Sequence, residues 1–162
     1  MGFAEYERAV ALMSEHGDMQ DFVGPRPQQL VDAAENRLGL HFPPSYRRFL
    51  VEHGAGSFGS SEIYGVIDEN FDQSSVPNGV WYTLSERKEW SLPLAMVVIF
   101  NDGNGDLFCL DCAATRPDGE APVVRYQPGV AAGVQRPELI ARDFGSFVLD
   151  LVQGEISRTR QT

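Results

Sequence analysis

The chain has 162 residues, 43% of them hydrophobic, with 23 acidic against 13 basic residues for a net charge of −10, and its pI is near 4.6. That length and composition predict one domain with a real core and exclude a disordered polymer. So negative a surface repels the phosphates of nucleic acid and of anionic membranes and attracts a basic protein partner, although acidity also serves solubility alone.

Phe3, Tyr6, Val10 and Met13 fall at helical spacing and predict a first helix over 3–16. Residues 17–26, with two Gly and a Pro, read as a loop. A second helix is expected from Pro27 through Leu30, Ala34 and Leu38, with Gly39 as its stop. In LHFPPSYRRFL, Pro43 and Pro44 enforce an extended entry and then admit a helix that carries Tyr46, Phe49, Leu50 and His53 on one face and ends at Gly54. A strand is expected over 62–67, a polar loop over 68–78, and a helix over 80–88 with Trp81, Leu84 and Lys88 on one side. Three strands follow, 95–100, 107–112 and 122–126, the last two joined by the turn sequence ATRPDGEA. Asp143 is suited to cap a final helix with Phe144, Phe147, Val148 and Leu151 on one stripe, and the polar tail from Ser157 is expected to fray. Helices first, strands in the middle and a closing helix imply an α+β fold with an antiparallel sheet of about four to six strands flanked by helices.

The stretch IFNDGNGDLFCLDC concentrates the residues that invite a chemical reading. Counted from Asp102 as a calcium loop it places Leu107 where a Gly is needed and Ala113 where a bidentate Glu is needed, so a hairpin turn is the better expectation. Cys109 and Cys112 form a CxxC, but no second pair is present, and His16, His41 and His53 lack ligand spacing. In an extended chain their side chains point to opposite faces, which favours two free thiols. GAGSFG matches a dinucleotide fingerprint in letters, but it follows a helix and leads to a strand, the reverse of the required order. There is no GxSxG and no HExxH, and His53 reads as a core-edge residue. No cofactor and no metal is expected. The longest apolar run, 95–100, is far short of the ~20 residues that span a bilayer. The N-terminus MGFAEYERAV lacks a signal-peptide pattern, and Tyr6 stands where a myristoylation signal wants Ser or Thr. A soluble cytoplasmic protein is expected.

The ordered set LGLHFPPSYRRFL, HGAGSFGSSEIYGV, VVIFNDGNGDLFCLD, PVVRY and DFGSFVLDL resembles the SUKH superfamily, which includes fungal cell-wall assembly regulators and bacterial immunity proteins. The resemblance spans residues 27–152 of a single domain covering 1–162, with a helix and loop at 1–26 and a polar tail at 153–162. Pro43, Pro44, Tyr46, Phe49 and Leu50 match its helix motif, and Ile63, Tyr64 and Gly65 its first strand. Asp102, Gly103, Gly105, Asp106, Cys109 and Asp111 match its hairpin. It departs at 53–56, HGAG, where an Asn-Gly pair is common.

The resemblance implies a non-enzymatic binding protein, in bacteria one that neutralises a cognate toxin domain, often a nuclease. A nuclease must bind nucleic acid and is often basic, so an acidic surface would suit it. Loop position nominates Asp68, Glu69, Asp72, Asp118 and Glu120 as partner-binding residues. The alternative is a regulatory protein-interaction domain of the cell-wall assembly type, which the scarcity of sequence outside the domain disfavours. A metal or redox enzyme built on Cys109 and Cys112 is the outlying reading.

Overall fold

The computed structural model describes residues 2–131 and 133–160. Helix α1 (Gly2–Glu15) buries Tyr6, Ala9 and Met13, one face at helical spacing. Helix α2 (Gln28–Leu38) buries Leu30, Val31, Ala34 and Leu38 and ends where Gly39 enters the left-handed region. Helix α3 (Pro44–Glu52) starts on Pro44, whose missing N–H costs nothing in a first turn, and buries Ser45, Tyr46, Phe49 and Leu50. Helix α4 (Gly79–Trp90) is capped by the Asn78 side chain, which accepts from the Trp81 N–H at 3.0 Å. Helix α5 (Phe144–Arg160) closes the chain.

The strands form two antiparallel sheets. The first holds β1 (Gln20–Phe22), β2 (Gly56–Phe58) and β3 (Ser61–Ile63) in that order. The second holds β4 (Met96–Asn101), β5 (Leu107–Asp111), β6 (Val123–Tyr126) and β7 (Glu138–Ala141), also in chain order. The expected α+β class stands, and the strands divide between the two sheets. The sequence expectation missed β1, β2 and β7, each only three or four residues long and set among Gly and Pro.

The main core lies between α1, α2, α3 and α5 and the inner face of the second sheet, where Val97, Ile99, Leu110 and Val123 meet Tyr46, Phe49 and Phe144. Tyr46 and Phe144 meet edge to face at 4.9 Å, and the Tyr46 hydroxyl donates to the Tyr64 carbonyl at 2.9 Å. On the other face of the same sheet, Val98, Leu107, Cys109, Val124 and Tyr126 form a second cluster against which Tyr82 of α4 packs. The outer edge of β4 is closed: the Val98 N–H donates to the Thr83 hydroxyl at 3.0 Å, and the Tyr64 N–H donates to the Ile99 carbonyl at 2.8 Å.

Two local expectations change. The strand expected over 62–67 ends at Ile63, because from Tyr64 the backbone leaves its sheet to bond Ile99 and Pro77. On α4 the stripe Trp81, Leu84 and Lys88 does share one side, apart from the fully buried residues. Val80 and Thr83 are buried, while the stripe lines a groove with Arg37 and Phe71. The tail from Ser157 does not fray before Arg160, because α5 continues through it and Glu155 and Ile156 are buried. Among the described residues, no helix is long and apolar enough to cross a membrane.

Gly65 shows why the Ile-Tyr-Gly segment needs its glycine. A Cβ there would lie 1.9 Å from the Gly54 carbonyl oxygen and 2.9 Å from a Leu50 methyl. Backbone must then separate from backbone, which a side-chain rotation cannot relieve. Gly65→Ala is expected to destabilise the fold by ~2–3 kcal/mol or more, read as a lowered urea midpoint with an unchanged slope.

Candidate functional site

The hairpin between β4 and β5 settles the NDGNGD stretch as a turn. The Asp102 carboxylate accepts from the Asn104 N–H at 2.8 Å, and the Asn101 side chain accepts from the Gly103 N–H at 2.8 Å. Gly103 and Gly105 both take positive φ. Arg125 on β6 then gathers Asp102 at 2.8 Å, Asp106 at 3.5 Å and Glu138 at 3.0 Å. These acids therefore face a protein cation. Among the described residues, no group of three or more His, Cys, Asp or Glu is placed to hold a metal ion.

Cys109 sits in the cluster under α4, whereas Cys112, in a short 3-10 turn (Cys112–Ala114), packs toward the main core on the other side of the sheet. Both are free. Burial pushes both thiols up, Cys112 to about 12 with the Asp111 charge adding to the effect. At neutral pH both are protonated, the unreactive form for attack or ligation. His53 stacks on Phe49 at 5.7 Å and meets Phe22 edge-on at 5.0 Å, and burial lowers its pKa.

The five acidic residues nominated from loop position separate into four situations. Asp68 and Glu69 are exposed, and Asp68 accepts from the Asn70 N–H of its own loop. Asp72 is exposed but forms a two-pronged ion pair with Arg37, which lowers its pKa. A partner would have to displace that guanidinium. Asp118 shapes its turn by accepting from the Glu120 N–H at 2.9 Å.

Glu120 does not belong to an exposed face. It is 2% exposed, and its carboxylate accepts from the Ser45 N–H at 3.1 Å and the Ser45 hydroxyl at 2.8 Å. It thereby caps α3, whose preceding residue, Pro43, has no side chain able to do so. A turn sequence rich in Pro, Asp and Gly gives no sign that its Glu will be drawn inside.

A row of acids absent from the sequence reading lies on the first sheet. Asp21 on β1 pairs with Ser57 on β2, and Ser57 pairs with Glu62 on β3. Directly paired residues share a face, so these three point together, away from the face that buries Phe58 and Ile63. Glu15 and Asp18 are exposed on the chain entering β1. Among the described residues, no ion pair reaches Glu15, Asp18, Asp21, Glu62, Asp68 or Glu69, while Arg47, Arg116 and Arg125 are held by acids elsewhere. Past β1, the chain continues along the stretch leaving α3, with Val23 bonded to Ala55 and Arg26 to Val51. The Arg26 guanidinium then donates to the Ile67 carbonyl at 2.9 Å, beside Asp68. The backbone from Asp21 to Arg26 and the Arg26 side chain therefore link Asp21 with the 68–69 loop.

The energetics favour keeping such a row unneutralised. Asp21 and Glu62 are two strand spacings apart, about 10 Å, and at that distance two charges in water repel by only ~0.4 kcal/mol before screening. The same charges against a cationic surface in a closed interface couple by roughly 1.5–7 kcal/mol for close pairs. The row costs the free protein little and would contribute much in a complex with a basic partner.

Compared with known proteins, residues 28–148 match the SUKH_6 family model, described as SMI1-KNR4 cell-wall. The match covers well over half of the chain, so the chain belongs to that family, and with it to the SUKH superfamily. No curated protein matches it.

Burial, with the nearby Asp143 and Asp118 carboxylates, raises the pKa of Glu120 above 4.5, against the lowering effect of its bonds from Ser45. The native state thus holds the proton more tightly than the unfolded chain. The stabilisation this brings is complete below pH 4.5 and is lost as pH rises through the raised value. Urea unfolding of wild type and Glu120→Gln between about pH 4 and pH 7 is expected to show wild type losing ground as pH rises. A pH-independent difference would remove this account. Glu120→Ala, which leaves the Ser45 N–H without its acceptor, is expected to cost ~1–2 kcal/mol.

Proposed function

We propose that this SUKH-family chain is a non-enzymatic binding protein that acts in the cytoplasm as an immunity protein, holding a basic toxin domain, most naturally a nuclease, through its acidic face. The observation that carries the reading is the charge placement. Asp21 and Glu62 flank Ser57 in cross-strand register, with no ion pair to either among the described residues, and Asp68 and Glu69 lie exposed on the loop that the Arg26 side chain ties to the strand's continuation. A domain that grips nucleic acid presents cations to a row of phosphates, and this row of carboxylates would compete for the same cations. Electrostatic complementarity of this kind raises the association rate and excludes acidic competitors. The fold-building roles of the hairpin acids and the protonated state of the two thiols support a binding role over a catalytic one.

A second reading has its own support. The matching family carries a cell-wall description, which favours a regulatory interaction domain whose partner is a housekeeping protein. The two readings differ in what the partner does when expressed alone.

The test begins with the tagged protein recovered from its native host, its partner identified by mass spectrometry, and that partner's domain purified. The immunity reading expects the domain to arrest bacterial growth when expressed alone, and co-expression of this chain to restore growth. Binding is expected to weaken at least about tenfold in Asp21→Lys/Glu62→Lys, and to weaken with added salt. A partner without toxicity would move the assignment to the regulatory reading. Unchanged affinity in the double variant would remove the acidic face from the interface.

A further inference from the structure

The second sheet presents a row of four residues across its strands toward α5: Phe100 on β4, Phe108 on β5, Arg125 on β6 and Glu138 on β7. At Phe100 and Phe108 the helix covers this face only in part, and both rings remain half-exposed. They pack with Phe147 of α5 as a trio, with ring centroids 5.4, 5.6 and 5.9 Å apart. Above that aromatic floor lies an open groove of about 320 Å³, walled by Ile140 and Leu151 and rimmed by Asp150, Gly154 and Arg158. That volume is at the small end of ligand sites and suits one or two large side chains better than a cofactor.

Carboxylates outnumber cations around the groove. Arg125 stacks over Phe108 at 5.2 Å and is held by Asp102, Asp106 and Glu138, three carboxylates on one guanidinium. Arg158 is paired with the buried Glu155. Asp150 is exposed, and no ion pair reaches it among the described residues. An apolar side chain entering the groove would therefore bring its sequence neighbours against Asp150 and, past the aromatic floor, against the excess of carboxylates around Arg125. Ser61 of β3 also lines the groove, and the next residue, Glu62, points from the opposite face of that strand into the acidic row.

We propose that this groove seats an apolar anchor side chain, Leu, Phe or Trp, flanked by Lys or Arg, contributed by the same basic protein partner that meets the acidic face. The inference rests on the binding-protein reading above and gives it a hydrophobic centre. Buried aromatic or aliphatic anchors carry most of the affinity in protein interfaces, while charges around them set the approach and the register. The acidic row alone would attract any cationic surface, and the groove adds selection for one shape.

The first test is made on the free protein. Nitrogen-15 NMR spectra are recorded during titration with the capped peptide Lys-Lys-Phe-Leu-Lys-Lys and, separately, with Glu-Glu-Phe-Leu-Glu-Glu. The expected result is saturable shifts of the Phe108, Ile140, Leu151 and Gly154 amides with the lysine peptide, and at least about fivefold weaker binding of the glutamate peptide. Asp150→Lys is expected to weaken the lysine peptide by a similar factor.

Gly154→Leu provides the blocking variant. A Cβ at Gly154 meets nothing within 4 Å, and Leu favours a helix over Gly. The variant should therefore fold at least as stably as wild type while filling the groove, and it should abolish the groove shifts. Shifts that survive Gly154→Leu, shifts confined to the first sheet, or equal binding of the two peptides would each overturn the proposal. Its failure is separable from that of the acidic-face reading. If Asp21→Lys/Glu62→Lys weakens the purified partner but Gly154→Leu does not, the face stands and the groove falls.

Discussion

The fold depends on the burial of two carboxylates where three helices begin. Glu120 caps α3 through Ser45, and Asp143 caps α5 by accepting from the Ser146 N–H at 2.8 Å. The start of α1 closes on both, because a Cβ at Gly2 would lie 2.9 Å from the carboxyl carbon of Glu120 and 3.1 Å from that of Asp143. Each helix N-terminus carries the equivalent of about half a positive charge. Three termini, with the Arg116 guanidinium 3.1 Å from Asp143, offset part of the cost of burying two carboxylates. The turn holding Arg116 and Glu120 is therefore a clamp on the helical layer. Once it is closed, α3 is held at the centre of the core and α5 lies against the inner face of the second sheet.

That arrangement also decides where the surplus negative charge can go. Twelve of the thirteen basic residues are arginines, and several meet acids in pairs or networks: Arg37 with Asp72, Arg47 with Asp32 and Glu35, and Arg125 with the hairpin. The planar guanidinium suits such shared binding better than a lysine ammonium does. Among the acids that no ion pair reaches in the described residues, Glu15, Asp18, Asp21, Glu62, Asp68 and Glu69 lie on the three-stranded sheet, on the chain entering it and on the loop beyond it, and the partly covered aromatic groove opens on the other side of β3. A negative sheet beside an apolar slot would combine long-range attraction with short-range fit in a protein interface.

How much of this was legible depended on the range of the forces involved. The helix faces of α1, α2, α3 and α5 were legible because apolar spacing reports burial directly. The hairpin was legible because Asn, Asp and Gly at a strand junction have a conformational meaning that needs no partner. Cys109 and Cys112 are free thiols as expected, although Cys112 lies in the 3-10 turn just past β5 and not in the strand itself. By contrast, β1 is three residues in a Gly- and Pro-rich stretch, and only its ladder with β2 makes it a strand. The role of Glu120 was hidden for a related reason. A carboxylate in a polar turn looks solvated until α3, seventy-five residues earlier in the chain, presents the N–H and hydroxyl of Ser45 to it.

The sequence by itself determined the α+β class, the helical faces, the tight hairpin and the strong negative charge, all of which follow from local periodicity, turn chemistry and composition. Family membership was legible for the same reason, since its motifs consist of those turn formers and core aromatics. Tertiary structure alone decided which acids are buried as caps, which are neutralised by arginine and which remain free in register on one sheet. Charge placement is a matter of which residues meet across long stretches of chain, and no window along the sequence contains that information.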